Sequence, residues 1–192
     1  NFSPINFQLD SDTEFGMGIN YQWQNLQQPF IPLGEPIAAD EYVMRTFELV
    51  WERDPTKTIS WRLNTEFGEY YDGEILTMTG ELAYLFQPYF RVGLSYERNQ
   101  IRDLGVNKQD VNTDLYSVST RLALSPRFNV NAFFQRNAFV DRNNVNIRMS
   151  WEYQPLSFLF IVLNESVFQD PLERIQMRDQ VAIAKLTWMK QF

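Results

Sequence analysis

Between residues 114 and 153 apolar and polar positions alternate with a period of two. Tyr116, Val118, Thr120, Leu122 and Leu124 share one face, and Ser117, Ser119, Arg121, Ala123 and Ser125 the other. After the break at Ser125-Pro126-Arg127, Phe128, Val130, Ala132 and Phe134 alternate with Asn129, Asn131, Phe133 and Gln135. After a polar break at 141–144, Val145, Ile147, Met149, Trp151 and Tyr153 alternate with Asn146, Arg148, Ser150 and Glu152. Period-two alternation marks strands with one apolar and one polar face.

The same reading extends along the chain. Residues 1–9 form a short candidate strand, and Phe15, Met17, Ile19, Tyr21 and Trp23 line the apolar face of the next. Further apolar faces are Val43, Phe47, Leu49 and Trp51, then Ile59, Trp61, Leu63 and Phe67, then Leu76, Met78, Leu82, Tyr84 and Phe86. Phe90, Val92, Leu94 and Tyr96 form another, and Ala182, Ala184, Leu186, Trp188 and Phe192 close the chain. Phe158 to Leu163 alone is apolar on both faces. The Asp72-Gly73 pair is expected to supply the positive φ angles of a hairpin turn. No stretch has helical periodicity, and none approaches the ~18 uncharged apolar residues of a membrane helix.

Loop lengths sort by parity. Connections at 10–12, 54–57, 87–89, 125–127 and 154–157 are short, whereas those at 25–41, 71–74, 99–113, 140–144 and 168–179 vary and include the long ones. Trp51, Trp61, Phe90, Phe128, Trp151, Tyr153 and Trp188 flank the short turns, and Trp23, Tyr71, Tyr96 and Tyr116 lie nearer the other ends. Short turns at one end, longer loops at the other and aromatic girdles at both interfaces characterise transmembrane β-barrels. The expected fold is therefore an all-β, antiparallel transmembrane β-barrel, with residues 1–192 as one domain and 1–13 as a partial strand or periplasmic lead-in. About ten strands run from Phe15 onward. A further strand at 1–9 makes the count odd, and bacterial barrels are even-numbered. The expectation is then at least one strand upstream, with this chain the C-terminal part of a larger barrel. Phe192 stands where such barrels end in an aromatic, although Lys190 departs from the apolar third-from-last position. The structural rival is a soluble sandwich, in which the faces of Tyr116 and Val145 meet a second sheet.

Composition narrows the chemistry. The 192 residues include no Cys and no His, which removes disulfides, thiol chemistry, Ser-His triads and nearly every zinc site. A net charge of -7 with interspersed signs argues against a nucleic-acid surface. No cofactor or metal is expected. Asp110-x-Asn112-x-Asp114 opens like a calcium loop, but Leu115 replaces the turn glycine and Arg121 the bidentate Glu. Gly16-x-Gly18 lacks the third glycine and the helix of a dinucleotide site. Asn164-Glu165-Ser166 matches a glycosylation sequon by chance.

Several blocks resemble one family: NLQQPFIPLGEPIAADEY at 25–42, GEYYDGE at 68–74, FQPYFRVGLSYERNQI at 86–101 and NVNIRMSWEYQPLSFLFIVLNE at 144–165. They resemble the C-terminal barrel domain of an uncharacterised Gram-negative outer-membrane family. Longer members of it carry an N-terminal family-9-like carbohydrate-binding module, which nothing in this chain matches. The resemblance implies an outer-membrane location. The family is sometimes labelled a membrane-associated hydrolase, but no catalytic motif maps onto residues here.

Arg62, Glu66, Glu81, Arg91, Glu97, Arg121, Arg148 and Glu152 fall on the polar, lumen-facing side. They read either as a charged lumen that selects solutes or as salt-bridged filling of a small barrel. The expected function is non-enzymatic: a passive pore for small solutes. The alternatives are a non-conducting anchor or subunit of an outer-membrane assembly and, more remotely, a hydrolase. The expected partners are outer-membrane lipid and other outer-membrane or periplasmic subunits. The loops at 25–41 and 99–113 could fold into a mouth or bind partners.

Overall fold

The computed structural model describes residues 2–9, 12–169 and 176–189, with side chains from Asp12 to Phe168 and from Gln176 to Met189. The expectations for Lys190 and Phe192, and for most of the connection after Phe168, lie outside these residues.

Eleven strands form one sheet whose order follows the chain from β1 to β11. They are β1 (Phe2–Leu9), β2 (Thr13–Asn25), β3 (Glu41–Arg53), β4 (Ile59–Tyr70), β5 (Gly73–Phe86) and β6 (Phe90–Leu104). Then come β7 (Gln109–Ser125), β8 (Phe128–Asn137), β9 (Arg142–Gln154), β10 (Ser157–Gln169) and β11 (Gln176–Leu186). The only helical element among the described residues is a single 3-10 turn, Pro32–Gly34. Residues 1–13 thus include a full strand, β1, antiparallel to β2. Packing divides the chain into two compact units: residues 1–81 with 96–114, and residues 82–95 with 115–192.

The alternation sets the faces. In the first unit the register aligns Ile19, Phe47 and Phe67 on one face and Gly18, Glu48 and Glu66 on the other. In the second it aligns Val118, Phe134 and Val145 on one face and Ser119, Phe133 and Asn146 on the other. Apolar-face side chains lie open: Phe47 is 48% exposed, Leu63 48% and Tyr116 45%. All eleven strands belong to one sheet, whereas the sandwich expectation for Tyr116 and Val145 calls for a second.

Three local expectations need correction. Residues 99–113 are not a long loop: β6 runs to Leu104 and β7 starts at Gln109. The polar side chains there belong to strand ends, where Asn99 bonds Thr77, Glu97 and Thr113. The break before β9 lies at 138–141 rather than 141–144. Apart from 26–40 and the connection beyond Gln169, all links are therefore short, and sorting by parity loses most of its force. In the β4–β5 turn the positive φ belongs to Tyr71, at 53°. Gly73 serves another purpose: a Cβ there would lie 2.3 Å from the Arg102 carbonyl oxygen.

The small apolar core sits in the first unit. Ile37, from the 26–40 loop, packs with Ile101, Leu104 and Val111, ringed by Leu26, Leu33, Tyr42, Tyr70, Tyr71 and Ile75. The loop is pinned as well as packed. Ile37 and Phe30 exchange backbone bonds, and Val106 N–H donates to the Pro36 carbonyl at 2.9 Å. Asn107 Nδ2 reaches Glu35 at 3.1 Å. Gly105 N–H and Lys108 Nζ bind Asp72, the first through Oδ1 and the second through the backbone carbonyl.

Candidate functional site

The eight polar-face candidates divide evenly between the units, and the two sets differ in kind. Arg62, Glu66, Glu81 and Glu97 belong to the first unit, and Arg91, Arg121, Arg148 and Glu152 to the second.

In the first unit the candidates join a hydrogen-bonded network. Glu66 accepts from Asn20 Nδ2 at 3.3 Å and from the Thr46 hydroxyl. Two rungs further on, Arg62 pairs with Glu52 at 2.9 Å, because β3–β4 register sets them opposite one another. Between them Asn64 Nδ2 donates to Glu48 at 3.0 Å, leaving Asn64 Oδ1 without a partner. Glu97 accepts from Asn99 at 3.0 Å, and Glu81 is exposed. Asn20, Thr46, Glu48, Glu52, Asn64 and Asn99 were not singled out from the sequence. Their signal was present in the period-two pattern, since all occupy polar-face positions. A cavity of about 310 Å³ adjoins this network, lined by Asn20, Thr46, Glu66, Tyr70, Tyr71 and Ile75 among others.

In the second unit the register assembles a basic row. Arg121 stands opposite Asn131, and Asn131 opposite Arg148. The β6–β7 register adds Arg91. Ala123 N–H donates to the Tyr89 carbonyl at 2.7 Å, and a Cβ on Gly93 would lie 2.7 Å from Ser119 Oγ. Both observations set Arg91 opposite Arg121. The row then runs into Val162 and Ile183 on β10 and β11. All three arginines are exposed. Among the described residues the ion pairs of this unit are Arg127–Glu152, Arg136–Asp141 and Arg178–Glu165, none with a member of the row. Arg62 is thus ion-paired with Glu52, whereas Arg91, Arg121 and Arg148 have no ion pair among the described residues. Glu152 faces Arg127 at 4.0 Å and accepts the Leu156 N–H at 3.0 Å.

The aromatic candidates lie on the apolar face or at its rim by the short turns. Trp51 and Trp61 meet edge to face at 4.6 Å, and Trp151 meets Tyr153 at 6.1 Å. The Tyr153 hydroxyl donates to the Thr187 carbonyl at 2.9 Å, and neighbouring Trp188 is 68% exposed. Phe90 and Phe128 are half-buried at their strand starts. No group of His, Cys, Asp or Glu able to hold a metal occurs among the described residues.

Comparison with known proteins finds no matching family model, no similar curated protein and no similar solved structure. What the chain shows is an all-β fold built on one antiparallel sheet.

Proposed function

We propose that the sheet closes into a transmembrane β-barrel of a Gram-negative outer membrane and acts as a passive, non-enzymatic pore for small solutes. One observation carries this reading. The apolar faces of both units are open, with exposed Phe47, Leu63, Leu82, Leu94, Val118 and Trp151, while among the described residues the buried apolar side chains are Ile37, Met44, Ile101, Leu104 and Val111. A face of that extent requires an apolar covering, and lipid supplies one. In β9 the apolar band runs from Tyr153 to Val145, about 26 Å along the strand before tilt, close to the ~25 Å band of such barrels. The Trp and Tyr side chains at its lower margin suit an interface girdle. The family resemblance of the quoted blocks points the same way. In this reading the polar faces line the lumen, and residues such as Arg62, Glu66 and Arg121 meet the solute.

A second reading, a non-conducting anchor or assembly subunit, draws support from the 26–40 loop. Its packing on the β6–β7 turn presents Phe30 and Ile31 to the exterior, at 44% and 65% exposure.

The test is extraction and reconstitution of the intact native protein. The expected result is recovery from outer-membrane fractions only with detergent, β-type circular dichroism, a heat-dependent gel shift and stepwise conductance in planar bilayers. A protein soluble without detergent and unshifted by heating overturns the membrane reading. A folded, heat-modifiable protein without conductance replaces the pore by the anchor.

A further inference from the structure

We infer that the row Arg91–Arg121–Asn131–Arg148 is a binding site for a small oxyanion of the phosphate type. The inference deepens the pore reading, and rests on it, by naming the solute class that the polar face of the second unit would hold. Four strands deliver the four side chains to one transverse rung. Adjacent strands lie ~4.8 Å apart, so Arg121 and Arg148 are rooted about 10 Å from each other, with Asn131 between them and Arg91 on the far side of Arg121.

Like charges directly opposite on neighbouring strands are destabilising, and Arg91 and Arg121 form such a pair. Among the described residues no carboxylate pairs with the row. On the same face the rung toward the short turns carries Ala123, Asn129 and Ser150, and the rung on the other side carries Gly93, Ser119, Phe133 and Asn146. Neither holds a carboxylate. Glu152, the nearest acid on β9, lies beyond Ser150 and faces Arg127. A bound anion supplies the missing charge. Guanidinium groups offer it planar, bidentate hydrogen bonds that a lysine ammonium cannot match, and Ser119, Asn129, Asn131 and Ser150 add neutral donors. Val162 and Ile183 bound the row on one side. Chloride would feel the same charge but could not use the forked geometry, so a tetrahedral oxyanion is the better fit.

The experiment measures binding of inorganic phosphate by calorimetry to the intact, detergent-folded protein, with bilayer conductance recorded separately. The variants are R91Q/R121Q/R148Q, R91K/R121K/R148K and, as a control off the polar face, R136Q, which loses its ion pair with Asp141. Folding of each is checked by the heat-dependent gel shift. Wild type and R136Q are expected to bind phosphate in a salt-sensitive manner. The triple Gln variant is expected to bind at least about tenfold more weakly, the scale of one lost charged hydrogen bond, and the triple Lys variant to fall between them. If the triple variant fails to fold, single R121Q carries the same comparison. Equal phosphate binding by wild type and a folded triple Gln variant overturns the site. So does wild type that binds phospholipid but no free phosphate. Conductance without phosphate binding leaves the pore standing and removes this inference. Phosphate binding without conductance keeps the site and removes the pore.

Discussion

The polar faces of the two units solve the placing of charge in opposite ways. In the first, Glu14, Glu48, Glu52, Glu66, Glu81 and Glu97 share the polar side with a single arginine, Arg62. That excess of acid is dispersed among amides and hydroxyls: Glu66 takes Asn20 and Thr46, and Glu48 takes Asn64. In the second, Arg91, Arg121 and Arg148 stand in one row without a carboxylate beside them. A connected network, satisfied here but for Asn64 Oδ1, makes a wall firm, because each member that leaves strands another. An unsatisfied row adds nothing to firmness and keeps its donors available. The contrast separates a face built for structure from a face built to hold something.

The largest effect expected comes from backbone packing in the first unit. Gly68 has φ 150°, and a Cβ there would lie 2.2 Å from the Arg45 carbonyl oxygen. Gly68→Val should prevent folding or remove the heat-resistant gel band. The backbone strain alone is worth about 1–3 kcal/mol, before any overlap with Arg45. In the second unit Gly93→Ala meets only the Ser119 hydroxyl, which can rotate away, so the band should persist. A folded Gly68→Val protein would erase this part of the contrast.

Next in size is Glu66→Ala. Loss of the acceptor shared by Asn20 and Thr46 should lower stability by about 1–2 kcal/mol in denaturant unfolding from detergent. Arg121→Gln should do the reverse: stability unchanged or raised by less than about 1 kcal/mol, because a like-charge pair is relieved. A clear destabilisation by Arg121→Gln would mean that the row is structural and the two faces are alike.

The smallest effect tests a turn. Asp54 accepts from the Thr56 hydroxyl at 2.7 Å and the Thr56 N–H at 2.8 Å. The Thr56 side-chain bond, then its backbone bond, holds the Asp54 carboxyl below its ordinary range. A folded pKa below the unfolded one contributes stability that is present above the unfolded value of ~3.9. That contribution disappears as pH falls through the folded value. Wild type should therefore exceed Asp54→Asn slightly at neutral pH, with the gap closing in acid. A gap that persists below both values would assign the effect to something other than ionisation.

Much of the fold was legible in the sequence because alternation is local. Each strand face could be read from its own residues, as with Phe15 to Trp23 or Val145 to Tyr153. Residues 99–113 misled for a physical reason: strands that continue beyond an apolar band lose their alternation, yet their ladder bonds and the Thr77–Asn99–Thr113 bridge keep them extended. The burial of Ile37 was equally invisible. It depends on Ile101, Leu104 and Val111, far along the chain.

Sequence alone determined that this chain is made of two-faced strands, that one face is apolar and aromatic-rimmed, and that arginines and glutamates sit opposite. Tertiary structure alone decided which of those charges meet. A period of two assigns a residue to a face but leaves its neighbour across the sheet open, because register is set between strands and a slip of two residues preserves every face. The pairing of β6 through β9 turned Arg91, Arg121 and Arg148 from three separated letters into one row. The pairing of β2 through β4 turned Asn20, Thr46 and Glu66 into one network.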